Sequence, residues 1–298
     1  MLDVIKNYKF WFILSGIILL AGIVSLIAFG LNAGIDFTGG TLSQVRFEKE
    51  LPQAPAVKSE LNSAGFEVTL QSAADKSMII RTPPQEAEQH DKLLSVLNEK
   101  FGSVTEEQFT SIGPVIGKEL RQNAAWQLLL VSLGIVLYIA YVFRRVSKPV
   151  SSWKFGISAI IALLHDLLIV VGVFSILGYF LNVQVDSLFI TALLTVLGFS
   201  VHDTIVVFDR IRENLRTMSG YDLGQIINDS VNQTLIRSIN TSLTVLFVLL
   251  ALLLFGGETI KYFVLALLIG IVAGTYSSIF IASPLLYVWH RWDLRRRA

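Results

Sequence analysis

Six stretches of the chain are apolar over about the length of a membrane helix, and polar residues are largely confined to the segments between them. The runs lie at roughly 10–30, 124–143, 155–180, 187–208, 238–256 and 261–286. About 20 residues at a rise of ~1.5 Å each cross a hydrocarbon core, so every run predicts one spanning helix. One long polar insert, about 32–122, separates the first run from the second. Inside it the period changes. Residues 42–47 alternate as a strand, 54–64 read as a short helix stopped by Gly65, and 66–71 and 77–81 read as two further strands. Leu93, Leu94, Leu97 and Phe101 give helical spacing within 84–101, and 104–112 returns to strand. The order β-α-β-β-α-β predicts a small ferredoxin-like sandwich with its helices on one face of an antiparallel sheet. Pro114 and Gly117, just beyond the last strand, read either as a hinge or as the plain end of a strand and start of a helix.

The expected fold is therefore a polytopic α-helical membrane protein of six transmembrane helices with one α+β ferredoxin-like domain. Residues 1–31 hold the N-terminus and first span, 32–122 the extracytoplasmic domain, and 123–298 the other five spans. Composition agrees: 53% of the 298 residues are hydrophobic, 16% are charged, and the mean hydropathy is +0.62. The formal net charge of +1 offers no electrostatic footprint for nucleic acid. With no cysteine there is neither a disulfide framework nor a thiolate site.

Lys and Arg in the short loops set the orientation. Lys6 and Lys9, then Arg144, Arg145, Lys148 and Lys154, then Arg210, Arg212, Arg216 and Arg237, and finally Arg291 and Arg295–Arg297 mark four segments as cytoplasmic. Residues 181–186 carry no basic residue, and 257–259 are flanked only by Lys261, which fits the outside. Six spans with both termini in the cytoplasm satisfy the pattern. Ala28-Phe29-Gly30 resembles a small-residue cleavage site, but the apolar stretch before it exceeds the roughly 7–15 residues of a signal h-region, so an uncleaved anchor is expected.

Charge then singles out Asp203, inside an apolar run where an ionised Asp costs roughly 2.5–3.5 kcal/mol at a helix centre. Such carboxylates face the bundle interior, serving either as proton-path groups or as hydrogen-bond links between helices. His202-Asp203 repeats the dipeptide His165-Asp166 of the third span. Adjacent residues on a helix point about 100° apart, so neither dipeptide chelates a metal from one face, and no metal or other cofactor is expected. Burial favours the neutral form of a carboxylate and a nearby cation the charged form, the balance that loads and releases protons. Ser200, Asp203 and Thr204 share a face of the fourth span. Gln233, Arg237, Asn240 or Thr241, and Thr244 form a polar stripe on the fifth, predicting that Arg237 approaches Asp203, although a snorkelling arginine has the same signature. The small residues Ala266, Gly270, Gly274 and Ser278 fit close packing of the sixth span. No HExxH, nucleophile elbow or phosphate-binding loop is present, so no enzymatic activity is expected.

GIDFTGG at 34–40, LLHD at 163–166, GFSVHDTIVVFDRIREN at 198–214 and LIRSINTS at 235–242 together closely resemble the SecD/SecF family of protein translocase subunits. These are relatives of the resistance-nodulation-division transporters, and the likeness covers nearly the whole chain. GIDFTGG is common to both branches, and the single modest insert fits the SecF branch. The resemblance implies an inner-membrane complex with SecD, often with YajC, beside the SecYEG channel. It also implies use of the proton-motive force to draw preproteins outward. By position, Asp203 matches the family's proton-path aspartate and Arg237 its arginine. The resemblance leads to an expectation of Asn at position 202 in many relatives, so His202 is a departure that adds a titratable group beside that carboxylate. Asp166 and His202 join Asp203 and Arg237 as candidate coupling residues, with Ser200, Thr204, Asn240 and Thr241 as a supporting polar face. A solute or lipid exporter of the same superfamily, and a structural scaffold for SecD, are the competing functions.

Overall fold

A computed structural model describes residues 2–73, 75–144, 150–218 and 220–297. Arg145 and Lys148, used above for orientation, lie outside the described residues. The chain forms two compact units, one of residues 1–31, 127–181 and 188–298, the other of 32–126 and 182–187.

The smaller unit opens with a single helical turn, α2 (Ile35–Thr38), reached from the first long helix α1 (Tyr8–Phe29), and continues through β1 (Gly40–Phe47), α3 (Ala54–Ser63), β2 (Thr69–Ser72), β3 (Ser77–Thr82), α4 (Ala87–Phe101) and β4 (Val104–Ile112). The four strands form one sheet in the order β2-β3-β1-β4, every neighbouring pair antiparallel. Val45 and Phe47, like Met78 and Ile80, recur at the strand period of two and turn one face onto Val57 and Leu61 of α3 and Leu93 and Leu97 of α4. Glu86 and Gln89 close a capping box at the start of α4, and Gly102, at φ +86°, ends it. The predicted strand at 66–71 begins later, at Thr69, because Phe66 and Val68 are spent sealing the end of this core.

The Gly39-Gly40 pair has a steric cause. Gly39 (φ +75°) and Gly40 (φ +144°) adopt backbone angles that side chains disfavour. A Cβ on Gly39 would stand 2.9 Å from the Cα of Pro114, and one on Gly40 2.7 Å from the Thr82 carbonyl. A Cβ on Gly117 would in turn meet the Gly39 amide at 2.8 Å. The first turn of α5 (Pro114–Val142) thus runs against bare glycine backbone. The segment 182–187, a plain loop by sequence, belongs to this unit. Val185 exchanges backbone bonds with Asn32 and Gly34, both at 2.8 Å, and Asp36 accepts the amide of Ser187 at 2.9 Å.

In the larger unit, α1 and α5 are joined by α6 (Ser152–Leu181), α7 (Ser187–Thr217), α8 (Leu223–Phe255) and a last span formed by α9 (Glu258–Ser277), a π-helical turn (Ser278–Ala282) and α10 (Ser283–Arg297). Among the described residues, six helical spans are long and apolar enough to cross a membrane. Several helices outrun their apolar runs. α7 continues to Thr217 through a charged turn held by Asp209–Arg212 and Arg210–Glu213 pairs three residues apart. α1 lies against α6 where Gly22 meets Gly172, and Ser25 and Ser175 hydrogen-bond nearby at 2.9 Å. Phe143, Phe155 and Phe208 pack their rings within 5.2–5.8 Å of one another at one end of the bundle.

Candidate functional site

Close approach of α9 to α7 creates the site, and glycine permits it. A Cβ on Gly270 would come 2.2 Å from Val196, and one on Gly274 3.0 Å from the Cβ of Ser200. With the backbones this near, short hydroxyl side chains span the gap. Ser200 of α7 (2.5 Å) and Ser277 of α9 (2.8 Å) both donate to Oδ2 of Asp166 on α6, while His165 Nδ1 lies 2.9 Å from Oδ1. With Asp166 ionised, the carboxylate only accepts and the imidazole presents Nδ1–H. Asp166 is 1% exposed and draws three helices together.

Asp203, one turn beyond Ser200 on α7, is 3% exposed and accepts 3.0 Å from the Thr275 hydroxyl of α9. Thr275 lies 2.6 Å from Ser242 of α8. Since the one proton of Thr275 goes to the carboxylate, Ser242 donates to Thr275, giving a directed chain from α8 through α9 to α7. Thr204 meets Ser278 at 2.8 Å; the proton of Ser278 goes to the Gly274 carbonyl, so Thr204 is the donor. The π-helical turn begins at that same Ser278, and Ser283 satisfies its carbonyl at 2.8 Å. Extra residues of this kind recur at functional sites in helices.

Of the residues predicted from sequence, Asp166, Ser200, Asp203 and Thr204 come together in one buried array. The predicted approach of Arg237 to Asp203 is not found: Arg237 is exposed, and among the described residues no ion pair joins the two. The reason is rotational. Thr234, Ser238 and Ser242 are the buried positions of α8 along this stretch, each one residue beyond Gln233, Arg237 and Thr241, so the predicted stripe lies about 100° away from the bundle interior. Asn240 and Thr241 are exposed with it, Thr241 bonding back to the Arg237 carbonyl at 2.9 Å. His202 is likewise exposed. Asp203 and Thr204 of the fourth span instead meet hydroxyls of the sixth, Thr275 and Ser278. Thr275 and Ser277 were missed because the repeat of small residues drew attention to packing, although Thr275-Tyr276-Ser277-Ser278 is the longest polar run in that span.

Comparison with known proteins places this geometry. Residues 92–292 match the family model "Protein export membrane protein SecD/SecF, C-terminal", and residues 24–50 the "SecD/SecF GG Motif". A protein translocase subunit SecF from Thermobaculum terrenum is 49% identical, covering 99% of this chain and 96% of its own. The protein translocase subunit SecDF of Bacillus subtilis is 35% identical over 99% of this chain, which spans 39% of that longer protein. The crystal structure of SecDF from Thermus thermophilus, described as a translocon-associated membrane protein, superposes with a TM-score of 0.86 at 34% identity. It covers 97% of this chain, which again spans 39% of the solved one. The motif at 34–40 and the array on α6, α7 and α9 both lie inside the matched regions, and the chain belongs to the SecD/SecF family of protein export membrane proteins, on its SecF side.

Proposed function

We propose that this chain is the SecF subunit of the Sec protein translocase and that, bound to SecD, it uses the proton-motive force to promote preprotein export through SecYEG, with YajC as a further neighbour. The relatives in which SecD and SecF are one polypeptide support the SecD partnership. On this reading the Lys/Arg-rich ends of the helices are cytoplasmic, both termini included, and residues 32–122 form an extracytoplasmic domain. The antiparallel order β2-β3-β1-β4 supports a ferredoxin-like assignment for that domain. The chain catalyses no covalent chemistry of its own.

The observation that carries the mechanism is a carboxylate, Asp203, buried in a spanning helix, accepting from the Thr275 hydroxyl with Ser238 beside it and making no ion pair among the described residues. A carboxylate so placed is costly when ionised and takes a proton readily if water reaches it. Arg237, exposed on a spanning helix, calls for a partner outside this chain. A proton reaching Asp203 weakens its hold on Thr275 and hence the link through Ser242 to α8. One charge crossing 100 mV supplies ~2.3 kcal/mol, enough to shift an equilibrium several tens-fold.

The test is precursor export into inverted vesicles containing this chain and its SecD, wild type against Asp203→Asn, with and without an imposed proton gradient. Copurification checks assembly. Loss of only the gradient-stimulated part is expected. A full gradient response in the mutant would leave Asp203 a structural residue and favour a scaffolding role.

A further inference from the structure

Two apolar depressions follow one another along α1. The first, about 410 Å³, is walled by Tyr8, Leu285, Val288, Trp289 and Trp292 and bordered also by Arg291 and Arg295. The second, about 370 Å³, is bounded by Phe12, Gly16 and Leu19 on one side and by Ile161, Leu164 and Leu168 of α6 on the other. Leu285 lines both. Tyr8 to Leu19 is eleven residues of one helix, about 16 Å at ~1.5 Å per residue, the reach of an extended acyl chain.

The chemistry changes along this trench in the way a lipid does. One end has two arginines four residues apart on α10, with tryptophan and tyrosine rings typical of a membrane interface. Arg295 makes no ion pair among the described residues, and Arg291 only leans over the Tyr287 ring at 5.8 Å. The other end is apolar apart from Ser15 and His165, and Gly16 leaves its floor open, a Cβ there meeting nothing within 4 Å. We propose that this trench binds one acidic phospholipid, its phosphate held by Arg291 and Arg295 and one acyl chain lying between α1 and α6. The occupant is anionic because the rim is cationic, and a lipid because the apolar floor extends well beyond the reach of a free phosphate. His165, which lines the second depression, also lies 2.9 Å from the Asp166 carboxylate, but the proposal does not depend on the export reading.

The full chain in nanodiscs, titrated with brominated phosphatidylglycerol against brominated phosphatidylcholine, reports binding through quenching of Trp289 and Trp292. Each arginine is expected to favour the anionic lipid roughly fivefold, about 20-fold for the pair. R291Q/R295Q should abolish that preference while thermal unfolding stays unchanged. G16L should weaken binding of a long-chain phosphatidylglycerol but leave a short-chain analogue unaffected, which separates a chain-holding trench from a headgroup site alone. Equal quenching by both lipids in the wild-type protein, or an anionic preference that survives the double substitution, would reduce the trench to ordinary annular contact and overturn the proposal.

Discussion

The same dipeptide occurs twice in the spanning helices and is used in opposite ways. At 165–166 both residues are buried, and the carboxylate accepts from His165, Ser200 and Ser277. At 202–203 the histidine is exposed, and the carboxylate has the Thr275 hydroxyl, with Ser238 close by. Asp166 is complete within this chain, its lone pairs shared among three donors, which is what a fixed joint between helices requires. Asp203 keeps acceptor capacity to spare. The difference shows that a dipeptide does not determine its surroundings; the donors that neighbouring helices deliver do.

Breaking the complete site should cost most. Asp166→Ala leaves the three donors of one buried cluster without their acceptor, for an expected loss of about 3–5 kcal/mol. Asp203→Ala strands Thr275, for about 1–2 kcal/mol. Thermal unfolding of the two variants side by side reads the contrast, and equal losses would erase it. Gly270→Leu comes next. Its side chain would enter the space of Val196, and pushing α9 off α7 is expected to cost about 2–3 kcal/mol while disturbing both carboxylates together.

Much of this was legible in the sequence, for physical reasons that also mark where legibility stopped. Hydropathy reports the solvent around a helix rather than the helix itself, so the six runs were visible while the polar ends of α7 and α8 were not. Strand order in the insert followed from alternation, because residues such as Val45 and Phe47 have one apolar face to bury. The association of 182–187 with that unit had little sequence signal, since it rests largely on backbone bonds to Asn32 and Gly34, with Asp36 the one side chain shown to join it. Asp203 was found because charge in an apolar run is conspicuous. Its partner was misassigned because a polar stripe on a helix reveals a face but not what covers it, and one residue of rotation separates Arg237 from the buried Ser238.

A smaller effect is expected at Asp36, whose carboxylate holds the Ser187 amide at the start of α7. Asp36→Ala removes a cap-like bond worth about 1 kcal/mol, and Asp36→Asn should recover most of it, as a cap needs an oxygen more than a charge. Unfolding of both variants checks the ranking.

The smallest stability change should come from Ser242→Ala, and it sharpens the comparison most. Hydroxyl links between membrane helices average only ~0.6 kcal/mol, so folding should hardly register the loss. Ser242 nevertheless stands at the head of the chain that orients Thr275 toward Asp203, whereas Ser200 serves the closed site. If Asp203 is the group that exchanges protons, Ser242→Ala should lower gradient-stimulated export and leave gradient-independent export intact. Ser200→Ala should lower thermal stability and change both kinds of export in proportion. An identical export profile for the two serine variants would mean that the array works as one rigid unit, and the distinction between a fixed carboxylate and an exchanging one would have to be abandoned.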